Sequence, residues 1–334
     1  MKNPQYFFIF PLSNGLLFDR IISKKERVYF MTYQTIGGIS VSRIAQGCMR
    51  IDRLSKSELD ALIRSDLDAG ISFFEHADIY GGNGRCEELF GNILREDPTL
   101  REKMTIQTKC GIRPGQYDFS REHILTSVEQ SLKRLGTEQV EFLVLHRPDT
   151  LVEPEEVAEA FSQLKSQGKV KAFGVSNHNA LQIALLNKFL DEKLVIDQLQ
   201  FGLGHTVLVD SGLNVNMKND ESVNRDDSTL DYCRLNDITI QAWSPLQFGF
   251  IKGHFMGNPD FDTLNRKLEE LGEAYGITST AMAIAWILRH SAKIQPVVGS
   301  VNAKRMRDIA RAAEVTITRK EWYDLYCATG KSLP

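Results

Sequence analysis

Long apolar runs are missing from this 334-residue chain, and so is any strong imbalance of charge. No stretch approaches the roughly 18 uninterrupted apolar residues of a membrane span. The N-terminal segment YFFIFPLSNGLLFDRIISKKERVYF at 6–30 is apolar in patches but broken by Pro11, Asn14, Gly15, Asp19 and a charged run. No small-residue cleavage site follows it, which makes a secretory signal a poor fit. With 40 Lys and Arg spread evenly against 43 Asp and Glu, no basic stripe exists to track phosphates, and the composition argues against a nucleic-acid partner. Cysteine is sparse and scattered (Cys48, Cys86, Cys110, Cys233, Cys327), without a CxxC pair for zinc or thiol exchange, so the five read as reduced thiols of a cytoplasmic protein. Also missing are a His/Asp/Glu cluster at metal-ligand spacing and a GxSxG nucleophile elbow, which speaks against a barrel hydrolase. The dinucleotide fingerprint GxGxxG is absent too, since GGNGRC at 81–86 has its glycines at other spacing.

What is present is alternation. Short runs rich in Val, Ile and Phe occur at 43–49, 72–77, 104–110, 141–146, 171–177, 195–200, 238–243 and 296–300, with amphipathic stretches between them. That pattern predicts a parallel sheet covered by helices. Helices are expected from a Ser55 or Ser57 cap to a stop at Gly70, from a Ser120 cap to a stop at Gly136, and over 154–168, 262–276, 278–290 and 302–314. Eight such units without a break in composition favour one closed (β/α)8 TIM barrel spanning 31–334 over an open doubly wound sheet. Residues 1–30 read as an N-terminal extension that the fold does not use. Two polar, glycine-containing interruptions, 202–227 and 247–261, read as functional loops.

Chemistry in such a barrel sits at the C-terminal ends of the strands. Those ends carry Glu75 to Tyr80, Lys109, His146, Ser176 with Asn177, Gln198, Trp243 with Ser244, and Gly299 with Ser300. A lone strand lysine or histidine is ordinary; polar residues at the same level on nearly every strand point to a site.

Taken together, FFEHADIYGG, IQTKCG, VLHRPD, GVSNH, QLQ, AWSPLQFGFIKG and VVGSVNAKRMRDI resemble the successive motifs of the aldo-keto reductases, over about 33–330, with LHRPD and ADIYGG similar to a bacterial branch of predicted oxidoreductases. The resemblance implies hydride transfer between a nicotinamide cofactor and a small carbonyl or alcohol substrate. It implies Tyr80 as general acid, Lys109 as the cation expected to lower the tyrosine pKa, and His146 as the residue orienting the carbonyl. The family carboxylate stands five residues before the tyrosine and is an aspartate. Here that position is Glu75, one methylene longer, and strand alternation puts it on a face with Phe73 and Ala77, with Asp78 the alternative partner of Lys109.

The resemblance assigns Ser176, Asn177 and Gln198 to the nicotinamide carboxamide and Trp243 to stacking on its ring. Ser244, Pro245, Leu246 and Gly249 are assigned to the pyrophosphate loop, and Gly299, Val301 and Arg305 to the adenosine phosphates. Arg305 beside Lys304 favours NADPH over NADH, while Asp308 and Ile309 depart from the family's adenine pair. Substrate selectivity is expected from 47–53, 111–120 and 202–227, where Met49, Tyr117, Phe119, His205 and Leu208 suggest a partly apolar pocket, not one built for a strongly charged substrate. A second reading, on the likeness of potassium-channel beta subunits to the same family, is a cofactor-binding regulatory protein with weak or no turnover.

Overall fold

A computed structural model of the protein describes residues 33–333; the proposed extension at 1–30 lies outside them. Eight parallel strands close into a barrel: β1 (Ala45–Gly47), β2 (Phe73–Glu75), β3 (Thr105–Cys110), β4 (Val140–Leu145), β5 (Val170–Ser176), β6 (Ile196–Gln200), β7 (Thr239–Trp243) and β8 (Gln295–Val298). Each strand pairs with its sequence neighbours, and β8 closes on β1. All eight expected strands are present.

Helices α1 (Lys56–Asp68), α2 (Arg85–Glu96), α3 (Arg121–Leu135), α4 (Pro154–Ser166) and α5 (Ala180–Phe189) follow the first five strands. α6 (Val207–Leu213) and α7 (Thr229–Leu235) follow β6, α8 (Asp262–Tyr275) and α9 (Ser279–Leu288) follow β7, and α10 (Ala303–Ala310) and α11 (Arg319–Cys327) complete the chain. The cap signals held where they were read. Ser55 forms a capping box with Glu58 at the start of α1, and Gly136 ends α3 in a left-handed conformation.

The barrel floor is apolar. Ala45, Phe73, Phe142, Val144, Ala172, Ile196 and Val297 fill it, and the hairpin of Tyr33–Ile36 with Ile39–Ser42 plugs its lower end through Ile36 and Val41. Above this layer runs a chain of glutamines. Gln107 and Gln198 both donate to Gln241 Oε1 at 3.0 Å, Gln241 donates to Gln295 Oε1 at 2.8 Å, and Gln295 donates to the Ser42 carbonyl at 2.6 Å. Because inward positions recur every second residue, the next inward position above these layers falls on Glu75, Lys109, His146, Ser176 and Trp243.

Candidate active site

Strand pairing continues past the ends of the regular ladder and fixes where these side chains stand. His76 N–H donates to the Gln107 carbonyl, Asp78 N–H to the Lys109 carbonyl, His146 N–H to the Cys110 carbonyl and Asn177 N–H to the Gln198 carbonyl, all at 2.8–3.0 Å. The expected alternation on β2 is observed. Phe73 faces the barrel interior, while Phe74 and His76 lie outward against Phe90, with ring centroids 5.3 and 4.6 Å away.

Lys109 is fully buried and central. It donates to Tyr80 Oη at 2.9 Å and to the His76 carbonyl at 3.2 Å, and forms an ion pair with Glu75. Tyr80 Oη in turn donates to Glu75 Oε1 at 3.1 Å. Glu75, not Asp78, is therefore the partner of Lys109, and its Oε1 meets both the ammonium and the phenol. Asp78 is held instead by burial and the nearby Glu87 charge, which push its pKa up to about 7. The Lys109 ammonium is placed as expected, in contact with Tyr80 Oη, but the net shift of the Tyr80 pKa is upward. Burial first, then the charge of the Glu75 carboxylate that accepts its hydroxyl, raise it well above the usual tyrosine value. Burial likewise lowers Lys109, against the opposing pull of Glu75.

The His146 ring stands edge-on to Tyr80, 6.0 Å between centroids. Burial, then the charges of Lys109 and Arg147, hold it well below its usual pKa, so it is neutral. Its buried Nδ1 has no partner among the described residues. Asn177 adopts φ 60° and Ser244 φ 49° at the ends of β5 and β7, the kind of constrained backbone found where a site dictates conformation. Trp243 Nε1 donates to Asn177 Oδ1 at 3.2 Å, and Asn177 Nδ2 donates to Ser176 Oγ at 2.8 Å.

These residues open onto a cavity of about 850 Å³, toward the upper end for a ligand site. Glu75, Tyr80, His146, Ser176, Asn177, Gln198, Trp243, Ser244, Pro245, Leu246, Gly299, Val301 and Arg305 all line it. Two predicted residues do not. Lys109 sits behind Tyr80, and Gly249 turns its carbonyl to Gln200 Nε2 at 2.8 Å, with Phe250 taking the wall position beside it. Lys304 does not join Arg305 at the wall; it pairs with Asp308 at 2.9 Å, and Ile309 is buried in the core.

The expected substrate loops need correction. Met49 and Ile112 line the cavity, but Tyr117, Phe119, His205 and Leu208 do not. Phe119 is buried against His178, and no residue of 202–227 reaches the cavity; Gly202 and Gly204 instead pack tightly behind the Pro245 and Gln247 carbonyls. The segment 247–261 does line it, through Gln247, Phe250, Ile251, His254 and Met256. Sequence reasoning also passed over Arg50, Arg53, Ile79 and Arg147, although Arg147 lay in the quoted LHRPD.

The cavity walls fit a dinucleotide. Arg50, Arg53 and Arg305 gather after β1 and β8, Arg50 donating to the Gly299 carbonyl at 3.2 Å, and among the described residues the only carboxylate on the wall is Glu75, already paired. Guanidinium groups without carboxylate partners suit phosphates.

The chain belongs to the aldo/keto reductase family, whose sequence pattern matches residues 43–326. It is 38% identical to an uncharacterised oxidoreductase of Bacillus subtilis (strain 168), over 89% of this chain and 97% of that one. It is 37% identical to a 6-dehydroglucose reductase of Agrobacterium fabrum, over 88% and 97%. The fold is shared with the crystal structure of an aldo/keto reductase from Klebsiella pneumoniae in complex with NADP and acetate, at TM-score 0.70 and 21% identity, covering 88% of this chain and 94% of that one. Membership makes the protein an NAD(P)H-dependent oxidoreductase.

Proposed function

We propose that the protein reduces an aldehyde or ketone to the alcohol with NADPH, using Tyr80 as the proton donor. The observation that carries this reading is the position of Tyr80 Oη at the cavity wall, in contact with both Lys109 and Glu75. Ser176, Asn177, Gln198 and Trp243 would hold the nicotinamide end, and Arg50, Arg53 and Arg305 the phosphates. When bound, NADPH supplies the hydride that adds to the carbonyl carbon.

The chain's own residues manage the oxygen. Neutral His146 offers an N–H that orients the carbonyl. The Tyr80 hydroxyl turns from Glu75 to the substrate oxygen and gives up its proton as charge develops there. Lys109, already donating to Tyr80 Oη, stabilises the phenolate that is left. Glu75 keeps the buried ammonium in place. A raised tyrosine pKa suits the reductive direction, since the phenol stays protonated across the physiological range.

The unpaired thiols support a reducing cytoplasm as the place of work. Relatives named as 6-dehydroglucose reductases put polyhydroxy aldehydes on the first substrate panel. The cofactor reading is tested by titrating NADPH and NADH against wild type and Arg305→Ala. A preference for NADPH that narrows in the variant is expected; equal affinity for both cofactors in wild type contradicts it.

A further inference from the structure

Four arginines line the cavity, and they divide into two groups. Arg50, Arg53 and Arg305 follow β1 and β8, which are adjacent in the barrel, and the charges of Arg50 and Arg305 both act on His254 beside them. Arg147 follows β4. In the closed strand order β2 and β3 separate it from β1 on one side, and β5 and β6 separate it from β7 on the other. It is thus remote from the phosphate end and adjacent to His146, whose neutral state it helps to maintain.

The Arg147 side chain makes no hydrogen bond or ion pair among the described residues. Its guanidinium lies 5.8 Å from the ring centroid of Phe250, and Phe250 stands edge-on to Trp243 at 6.3 Å. An aromatic face steadies the guanidinium plane without neutralising it. Among the described residues the one carboxylate on the cavity wall, Glu75, is committed to Lys109. The catalytic end of the cavity therefore holds a planar, oriented, uncompensated cation a residue away from the group that orients the carbonyl. A partly desolvated charge in that state favours a ligand that brings the opposite charge, and a guanidinium meets an oxyanion through two parallel N–H donors.

We propose that Arg147 sets substrate class: it binds an oxyanion, carboxylate or phosphate, carried on the carbonyl substrate, so that the preferred substrates are anionic aldehydes or ketones. The proposal rests on the reductase reading for its turnover and adds to it the chemistry of the substrate's far end. It also replaces the apolar pocket expected from the sequence with one that is apolar along Met49, Ile79 and Ile112 and cationic at Arg147.

The test compares size-matched pairs, 4-carboxybenzaldehyde against benzaldehyde and glyceraldehyde 3-phosphate against glyceraldehyde, in wild type, Arg147→Lys and Arg147→Ala. NADPH affinity is measured in each protein. We expect wild type to prefer the charged member of at least one pair, and the charged-to-neutral ratio of kcat/KM to fall by about 10- to 100-fold in Arg147→Ala, the range for loss of a charged hydrogen bond. Arg147→Lys should fall between, and NADPH affinity should stay within about two-fold. The two pairs tell carboxylate from phosphate. An unchanged ratio in Arg147→Ala, or a parallel loss of NADPH affinity that assigns the arginine to the cofactor, overturns the proposal.

A readout without turnover separates the two claims. 4-Carboxybenzyl alcohol and glycerol 3-phosphate are titrated calorimetrically into NADP⁺-loaded protein. Arg147-dependent binding of either with no reduction of any aldehyde would sink the reductase reading and leave the anion site standing. Reduction of benzaldehyde with no Arg147-dependent binding would do the reverse.

Discussion

Glu75 joins burial in raising the Tyr80 pKa, and it does so as the acceptor of the Tyr80 hydroxyl. A carboxylate that only paired with Lys109 would leave Tyr80 under the influence of a cation; one that also accepts the Tyr80 hydroxyl raises the phenol instead. Shortening it tests the point. In Glu75→Asp the carboxylate retreats by one methylene, its hold on Tyr80 weakens, and the tyrosine pKa drops. Reduction needs the protonated phenol, so the alkaline limb of its kcat/KM profile is expected to move to lower pH than in wild type, and an unmoved limb would show that Glu75 does not set the Tyr80 pKa. Glu75→Gln tests the ion pair itself. It leaves the fully buried Lys109 ammonium uncompensated, and removing one partner of a buried pair costs about 3–5 kcal/mol. Urea unfolding should show that loss, and Glu75→Gln with Lys109→Met should recover much of it; a loss below about 1 kcal/mol in the single variant would mean the lysine is already neutral.

At the scale of elements, two helices carry features with measurable consequences. On α1, Asp66 is fully buried with neither carboxylate oxygen hydrogen-bonded, and burial pushes its pKa up to about 8. The unfolded chain releases this proton near pH 4 and the folded one near pH 8. Across that window the folded state binds more protons, so stability falls as pH rises, by up to about 1.4 kcal/mol per pH unit. Asp66→Asn should flatten this slope and stabilise the protein at pH 7 relative to wild type. Thermal unfolding from pH 5 to 8 measures it, and parallel curves for the two proteins would count against the assignment. Among the described residues no hydrogen bond or counter-charge accounts for an aspartate there. On α2, a Cβ at Gly91 would fall 2.0 Å from the Arg134 carbonyl at the contact with α3. Gly91→Ala is expected to destabilise by about 1–3 kcal/mol, outweighing the roughly 1 kcal/mol of helix propensity that alanine brings; a net gain in urea midpoint would refute the close approach.

How far each element was legible depends on whether its ends carry side-chain signals. α1 and α3 announce themselves with Ser55 and Ser120 as caps and a left-handed glycine behind. α2 does not: its N-cap is Gly84, with no side chain to read, inside a glycine-rich turn that looks like loop. α5 and α11 were overlooked despite capping boxes, Asn179 with Gln182 and Thr318 with Glu321, which sequence inspection can find. The same contrast runs through the site. Residues on strands obey the two-residue period and were placed correctly, Glu75 over Asp78 among them. Residues on loops have no period, so Phe119 and Leu208 were misassigned and Phe250 was missed, because which loop folds over the cavity depends on packing such as Gly202 against Pro245.

On the scale of the whole molecule, the barrel is a stack in which each layer constrains the one above. The hairpin closes the apolar floor, the glutamine chain joins β3, β6, β7 and β8 across the interior, and the reactive side chains follow two residues further along their strands. Gln198 belongs to both upper layers, bonded to Gln241 and exposed to the cavity. Gln241→Leu is therefore expected to leave Gln107, Gln198 and Gln295 short of partners, to lower stability by about 1–3 kcal/mol, and to weaken NADPH binding although Gln241 itself does not line the cavity. Cofactor affinity equal to wild type in a folded variant would mean the glutamine chain does not hold Gln198 in place.

The central claim is that Tyr80 gives a proton to a carbonyl while NADPH gives a hydride. Its most direct test is NADPH oxidation with an aldehyde panel in wild type and Tyr80→Phe, with cofactor binding measured in parallel. The account predicts that the variant binds NADPH as wild type does while its turnover falls by about 10²- to 10⁴-fold, the usual contribution of a positioned general acid. Turnover within about three-fold of wild type, or no turnover by wild type on any carbonyl despite tight NADPH binding, would contradict it.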